Sequence, residues 1–239
     1  MTKEEIIIKP TVEEVTKELA ALVENEAKAA IDSRGKFVIG LSGGSLVNFL
    51  VAGLPSISTD WSRWHVIFCD ERLVPEDNAD STFGVYRRHL RDQGGALPLT
   101  EAQFVRVDPA LAPAAAAAQY AAQLEALLGA GTPRCDLLLL GMGPDGHTCS
   151  LFPGHALLQV TDRTVAAITD SPKPPPARVT LTFPVLNAAR AAVFAMAGAG
   201  KADMVRRVLR AREPLPAAQV RPADGRLVWI LDQAAAAHL

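Results

Sequence analysis

The chain has 239 residues, 49% of them hydrophobic, enough to bury a sizeable core and too apolar for a disordered segment. Its 24 Lys and Arg against 26 Asp and Glu leave a net charge of -2, which excludes a general polyanion or nucleic-acid binder but not a local basic pocket. Cys69, Cys135 and Cys149 are an odd set without CxxC spacing, which argues against a disulfide framework or structural zinc and for a reduced, cytoplasmic compartment. The start MTKEEIII lacks the basic residues and long apolar core of a signal peptide, and no stretch approaches the roughly 20 apolar residues of a membrane span.

In chain order, Thr11 to Ile31 predicts an amphipathic helix, with Val12, Val15, Leu19, Leu22 and Val23 at helical spacing and Thr11 with Glu14 as a capping box. Phe37 to Leu41 reads as a buried strand. Ser42-Gly43-Gly44-Ser45 follows it, and then a helix near Leu46 to Ala52. That order aims free N–H groups and the positive end of the helix dipole at an anion. His65 to Cys69 is a second strand, ending in Asp70-Glu71-Arg72 and then a polar loop from Val74 to Ser81. Ser81 or Thr82 caps a helix to about Arg91, and Phe104 to Val107 predicts a short strand. The alanine-rich Pro113 to Leu128 predicts a helix, since alanine is the best helix former.

Asp136 to His155, DLLLLGMGPDGHTCSLFPGH, carries the densest chemistry. Four leucines suit a strand buried on both faces, and the glycines beyond them allow a tight turn at its carboxyl end. GMGPDG satisfies GxGxxG, yet Pro144 stiffens the turn and Pro153 interrupts any long helix, so a nicotinamide site is rejected. Asp145 lies two residues from His147 and can orient its imidazole for general-base work. Cys149 and Ser150 are nucleophile types outside any GxSxG elbow. His147, Cys149 and His155 lack zinc-ligand spacing, so no metal is expected.

Val165 to Ile168 and Arg178 to Thr182 read as strands on either side of a proline-rich surface loop, Ser171 to Pro176. Ala191 to Met196 is a buried strand ending in Gly198-Ala199-Gly200, with a helix starting near Lys201. Leu227 to Leu231 is the last strand, and Asp232 caps a C-terminal helix. Alternating strands and helices imply a single α/β domain over 1–239, doubly wound about a mostly parallel sheet with helices on both faces, Rossmann-like. A lysine in a first helical turn opposes the dipole unless an anion sits between them, which makes Lys201 a phosphate candidate together with Ser42, Arg72 and Arg178.

The blocks SGGS, CDERLVP, GMGPDGHTCSLFPGH, RVTLTFPVLNAAR and GAGK (Gly198 to Lys201) occur in one order across nearly the whole chain and resemble the 6-phosphogluconolactonase family. The resemblance implies a sugar-phosphate isomerase/deaminase-type fold and hydrolysis of a sugar-phosphate lactone in the pentose phosphate pathway, with no cofactor. It makes His147 the base, supported by Asp145. Gly43, Gly44, Arg72, Arg178 and Lys201 would hold phosphate or sugar oxygens, and the Gly143 N–H or Arg72 the oxyanion. Glucosamine-6-phosphate deaminases resemble the chain less, since their motifs read DGHIAFNEP and DEY where this chain has DGHTCSLFP and DER. A non-catalytic sugar-phosphate sensor is the reading from another class; it would carry a DNA-binding segment, and no basic recognition helix is evident. The expected assembly is a monomer or a weak homodimer.

Overall fold

A computed structural model describes residues 2–92 and 97–239. Strand β1 (Lys3–Lys9) precedes helix α1 (Val12–Arg34), whose N-cap Thr11 accepts the Glu14 N–H at 3.3 Å. Gly35 ends the helix in the left-handed region at φ 74°, as a C-terminal glycine commonly does. Val12 is 45% exposed, so the buried stripe starts at Val15. Strand β2 (Phe37–Leu41) leads through the SGGS turn into α2 (Leu46–Gly53), and β3 (Trp64–Phe68) runs into the short β4 (Asp70–Arg72). Ser81 caps α3 (Thr82–Tyr86), which continues as a π-helix over Arg87–Asp92.

The alanine-rich tract is α4 (Pro113–Leu128), opened by a proline at its first position, where the missing N–H costs nothing. Strands β5 (Leu137–Leu140), β6 (Val165–Ile168) and β7 (Arg178–Leu181) come next, then α5 (Phe183–Ala188) and β8 (Ala191–Met196). The chain finishes with α6 (Ala202–Val205), its π-helical extension Arg206–Arg210, α7 (Pro216–Gln219) and β9 (Arg226–Asp232).

Six strands form a parallel sheet in the order β1-β9-β8-β5-β2-β3. Each inner strand serves two cores by simple alternation. Leu138 and Leu140 of β5, Phe194 of β8 and Trp229 of β9 pack with α4 to α6 on one face. Leu137, Leu139, Val193 and Ile230 pack with α1 and α2 on the other. This two-sided burial is why these strands are continuous apolar runs. From β2 the chain first moves outward to β3, then crosses back to β5. The strand order therefore reverses beside β2, and ligands in open α/β sheets bind at such a point, at the carboxyl ends of the strands.

Four features depart from the sequence reading. A second, antiparallel sheet, β4-β7-β6, takes Asp70–Arg72 and Arg178–Leu181, so these segments do not end or join the parallel sheet. Strand β1 is an additional edge strand. Phe104 to Val107 makes only an isolated bridge to Val66, with the Val105 N–H donating to the Val66 carbonyl at 2.8 Å. Beyond Asp232 the chain forms turns; the Asp232 carboxylate still accepts the Ala235 N–H at 2.7 Å, as a cap would, but no helix propagates.

Candidate active site

The carboxyl ends of β2, β3, β5 and β8 converge on a cavity of about 190 Å3. Ser42 to Ser45, Asp70, Arg72, Gly141 to Gly143, His147, Cys149 and Lys201 line it. Seven of the nine residues singled out in the sequence therefore meet: Ser42, Gly43, Gly44, Arg72, Gly143, His147 and Lys201. Asp145 stands behind His147, and Arg178 does not line the cavity. A larger open groove of about 800 Å3 lies between α4 and β6, but alanine dominates its walls and none of these residues reaches it.

His147 is positioned by a tight loop. The Gly143 N–H donates to the His147 carbonyl at 2.9 Å, and the Gly146 N–H to the Gly143 carbonyl at 3.0 Å. Gly143 lies flat against the imidazole, so a Cβ there would fall 2.0 Å from Cε1 and 2.1 Å from Nδ1. Phe152 covers the ring at 4.7 Å between centroids. The Asp145 Oδ1 lies 2.5 Å from His147 Nδ1. Burial alone would raise the Asp145 pKa, but hydrogen bonds from His147 and Lys173 hold it at about 2. An ionised carboxylate only accepts, so the ring proton belongs on Nδ1 and Nε2 keeps its lone pair. Burial lowers the His147 pKa below its usual value, and Asp145 opposes that only in part. His147 is thus a neutral imidazole facing a polar cavity.

The basic side of the cavity is incompletely paired. Ser42 is 4% exposed, and its Oγ has no hydrogen-bond partner among the described residues. The same holds for Arg72 Nε, which lies 3.8 Å from Asp70 Oδ2. Lys201 Nζ donates to the Met142 carbonyl at 2.7 Å, and burial, then the charge of Lys173, lowers its pKa. Gly44 takes φ 75°, a turn other residues resist, and delivers the chain to α2. Ser45 makes no side-chain cap there; the Val47 and Asn48 N–H groups donate to the Gly44 and Ser45 carbonyls, both at 3.2 Å, so the positive end of the α2 dipole rather than a row of free N–H groups faces the cavity. Unpaired polar atoms, a helix start and two cations form a set whose chemistry suits an anion.

Other candidates take different places. The Gly143 N–H is committed to His147, so it is not a free oxyanion donor, whereas the Arg72 guanidinium lines the cavity and gives the Asp80 carbonyl one N–H at 3.1 Å. Arg178 is 2% exposed, and its guanidinium donates to the carbonyls of Lys173 (2.8 Å), Pro174 (3.2 Å) and Pro175 (2.9 Å). Its cross-strand neighbour is Arg72, and two like charges so placed must aim elsewhere. Ser150 is fully buried and donates to Asp70 Oδ2 at 2.8 Å, which removes it from nucleophilic attack. His155 accepts the Leu157 N–H and pairs with Asp170, away from His147. Among the described residues, no group of three or more His, Cys, Asp or Glu side chains could hold a metal.

The sequence reading missed two members. Asp70 was visible as one of three charges after a strand, and its place in the cavity wall depends on β4 turning into the second sheet. Lys173 gave no signal: it sits in a proline-rich loop, yet its Nζ lies 3.1 Å from Asp145 Oδ1 and 3.2 Å from His147 Nδ1.

The structure thus places a histidine–carboxylate pair and a basic cavity wall at the carboxyl ends of a parallel α/β sheet, and sequence comparison supplies the family. A family model described as glucosamine-6-phosphate isomerases/6-phosphogluconolactonase matches residues 10–229, and the chain belongs to that family. It is 51% identical to 6-phosphogluconolactonase of Rattus norvegicus over 232 residues, covering 94% of this chain and 89% of the relative. The human 6-phosphogluconolactonase is also 51% identical, covering 91% of this chain and 87% of the relative. The solved structure of 6-phosphogluconolactonase from Thermotoga maritima superposes with a TM-score of 0.84 at 27% identity, covering 96% of this chain and 100% of that one.

Proposed function

We propose that the chain hydrolyses 6-phospho-D-glucono-1,5-lactone to 6-phospho-D-gluconate, the second step of the oxidative pentose phosphate pathway, by general-base activation of water. The observation that carries the mechanism is His147: a neutral imidazole, oriented through Nδ1 by an ionised carboxylate, in one cavity with unpaired polar atoms. Nε2 takes a proton from water as the water oxygen attacks the lactone carbonyl. The negative charge that forms on the carbonyl oxygen is stabilised by the Arg72 guanidinium, which lines the cavity. Collapse breaks the bond to the ring oxygen, and the His147 imidazolium returns its proton to that oxygen. Ester hydrolysis of this kind consumes water alone and needs no redox cofactor.

Ser42, the Gly43–Gly44 turn and Lys201 hold the phosphate, at the start of α2. Arg178 acts one step back, through the loop carbonyls it clamps. The proposed compartment is the cytoplasm and the proposed assembly a monomer or a weak homodimer. No helix among the described residues is long and apolar enough to cross a membrane.

His147→Ala should lower the enzymatic rate by about 10²–10⁴-fold over the spontaneous hydrolysis, which must be subtracted, while calorimetry still detects binding of 6-phosphogluconate. Turnover equal to wild type would overturn His147 as the base. Assays with glucosamine 6-phosphate, and with a chelator, should show no deamination and no loss of lactonase activity. Deamination in place of lactone hydrolysis would overturn the substrate assignment.

A further inference from the structure

We propose that Lys173 is a positioning residue of this site, its ammonium fixing the Asp145 carboxylate and standing against the Nδ1 edge of His147 so that the imidazole rests neutral with Nε2 open. The proposal rests on His147 being the base.

Two segments remote in sequence make the contact. Asp145 Oδ1 receives two donors, His147 Nδ1 at 2.5 Å and Lys173 Nζ at 3.1 Å. The ammonium also lies 3.2 Å from Nδ1 itself. With the ring proton on Nδ1 that approach is not a second hydrogen bond, but a positive charge beside a ring that must not gain another. The backbone under Lys173 is held from both sides. Its carbonyl accepts from Ser171 Oγ at 2.8 Å and from Arg178 at 2.8 Å, and its N–H donates to Ser171 Oγ at 3.3 Å. Prolines flank it at 172 and 174. Arg178 also lies over the Phe152 ring, at 5.6 Å, and Phe152 covers His147. A buried guanidinium thus holds the loop that delivers the lysine, so the lysine loses less side-chain and backbone freedom in making its contact than a free surface lysine would.

The charge arrangement gives the contact a purpose. An unshared carboxylate would favour the imidazolium and leave the resting base already protonated. Sharing Oδ1 with an ammonium weakens that pull, and burial of His147 works in the same direction. After the ring has taken a proton from water, the same ammonium makes the imidazolium a better acid toward the departing ring oxygen. The other charged groups near the ring are Asp70 and the cavity cations Arg72 and Lys201. Asp70 pulls against Lys173 and does not replace it.

The test is Lys173→Met, with Lys173→Gln as a second neutral variant and Lys173→Arg as the charge-preserving control. Two readouts apply to protein with wild-type circular dichroism: the acidic limb of kcat/KM, and the His147 ring titration by NMR, its signal assigned by its absence in His147→Gln. Both should move to higher pH by about one unit in the neutral variants, and Lys173→Arg should restore them. An unchanged ring titration overturns the proposal. A higher KM with both titrations unchanged also overturns it and makes Lys173 a direct substrate ligand. A ring titration that moves while the kinetic limb stays fixed overturns the catalytic part and indicts His147 as the base. Lys173 and the base assignment therefore fail in distinguishable ways.

Discussion

At the scale of single residues, the site depends on atoms that cannot be moved by an ångström. Gly143 is the sharpest case, because its missing side chain is the space the imidazole occupies. Gly143→Ala should fold normally by circular dichroism yet lose about 10²-fold in kcat, since a misplacement of about 1 Å costs that much. Asp145→Asn probes the charge on the other side. The wild-type acidic limb of kcat/KM should fall below pH ~6.5, because burial lowers the His147 pKa and a base works only when unprotonated. Removing the Asp145 charge removes a raising influence while Lys173 remains. The limb should move further down, opposite in sign to Lys173→Met, and kcat should fall by about 10²–10⁴-fold as the imidazolium loses its counter-charge and its tautomer. A limb that rises in Asp145→Asn would contradict the charge arrangement.

At the scale of elements, the small antiparallel sheet does the positioning. Glu71 of β4 is 4% exposed and accepts the N–H groups of Arg72, Thr82 and Phe83, each at 2.7 Å. One carboxylate therefore joins the strand carrying Arg72 to the start of α3. Glu71→Ala should destabilise the protein by about 2–4 kcal/mol in urea titrations and raise KM, because it leaves buried donors unpaired beside Arg72. Glu71→Gln, which keeps an acceptor, should recover part of both; equal losses would mean that charge, not acceptance, is what matters. The same sheet shows the limit of reading elements from sequence. Arg178 to Thr182 looks like a strand, and Arg178–Leu181 is one. Pairing with β4 is a non-local choice that sets Arg178 opposite Arg72 and turns its guanidinium toward the loop carbonyls. Strand β1 escaped notice because an edge strand leaves half its residues wet: Ile6 is 42% exposed and Ile8 49%, so no core face stands out.

Across the whole molecule, one continuous sheet links the N-terminal strand to β3 at the far edge. Trp64, edge-on to Phe37 at 4.7 Å, reports from β3, and Trp229, stacked on Phe194 at 4.1 Å, reports from β9 near the other edge. If 1–239 is one domain, fluorescence of Trp229→Phe, which leaves the β3-end tryptophans, and of Trp61→Phe/Trp64→Phe, which leaves Trp229, should give urea transitions that coincide with each other and with circular dichroism. Separated transitions would divide the chain into two folding units.

The sequence by itself determined the parallel strands of the core, the glycine turns at their carboxyl ends, and the closeness of Asp145 to His147. These follow from short-range physics: alternation splits each strand between two faces, glycine alone turns freely, and residues two apart in a tight loop share a neighbourhood. Tertiary structure decided the partners of the long side chains. Lys173 reaches a carboxylate 28 residues away, Ser150 a carboxylate 80 away, and Arg178 spends its donors on a neighbouring loop. A flexible charged side chain binds whatever acceptor the fold brings within its length, and spacing along the chain carries no record of that.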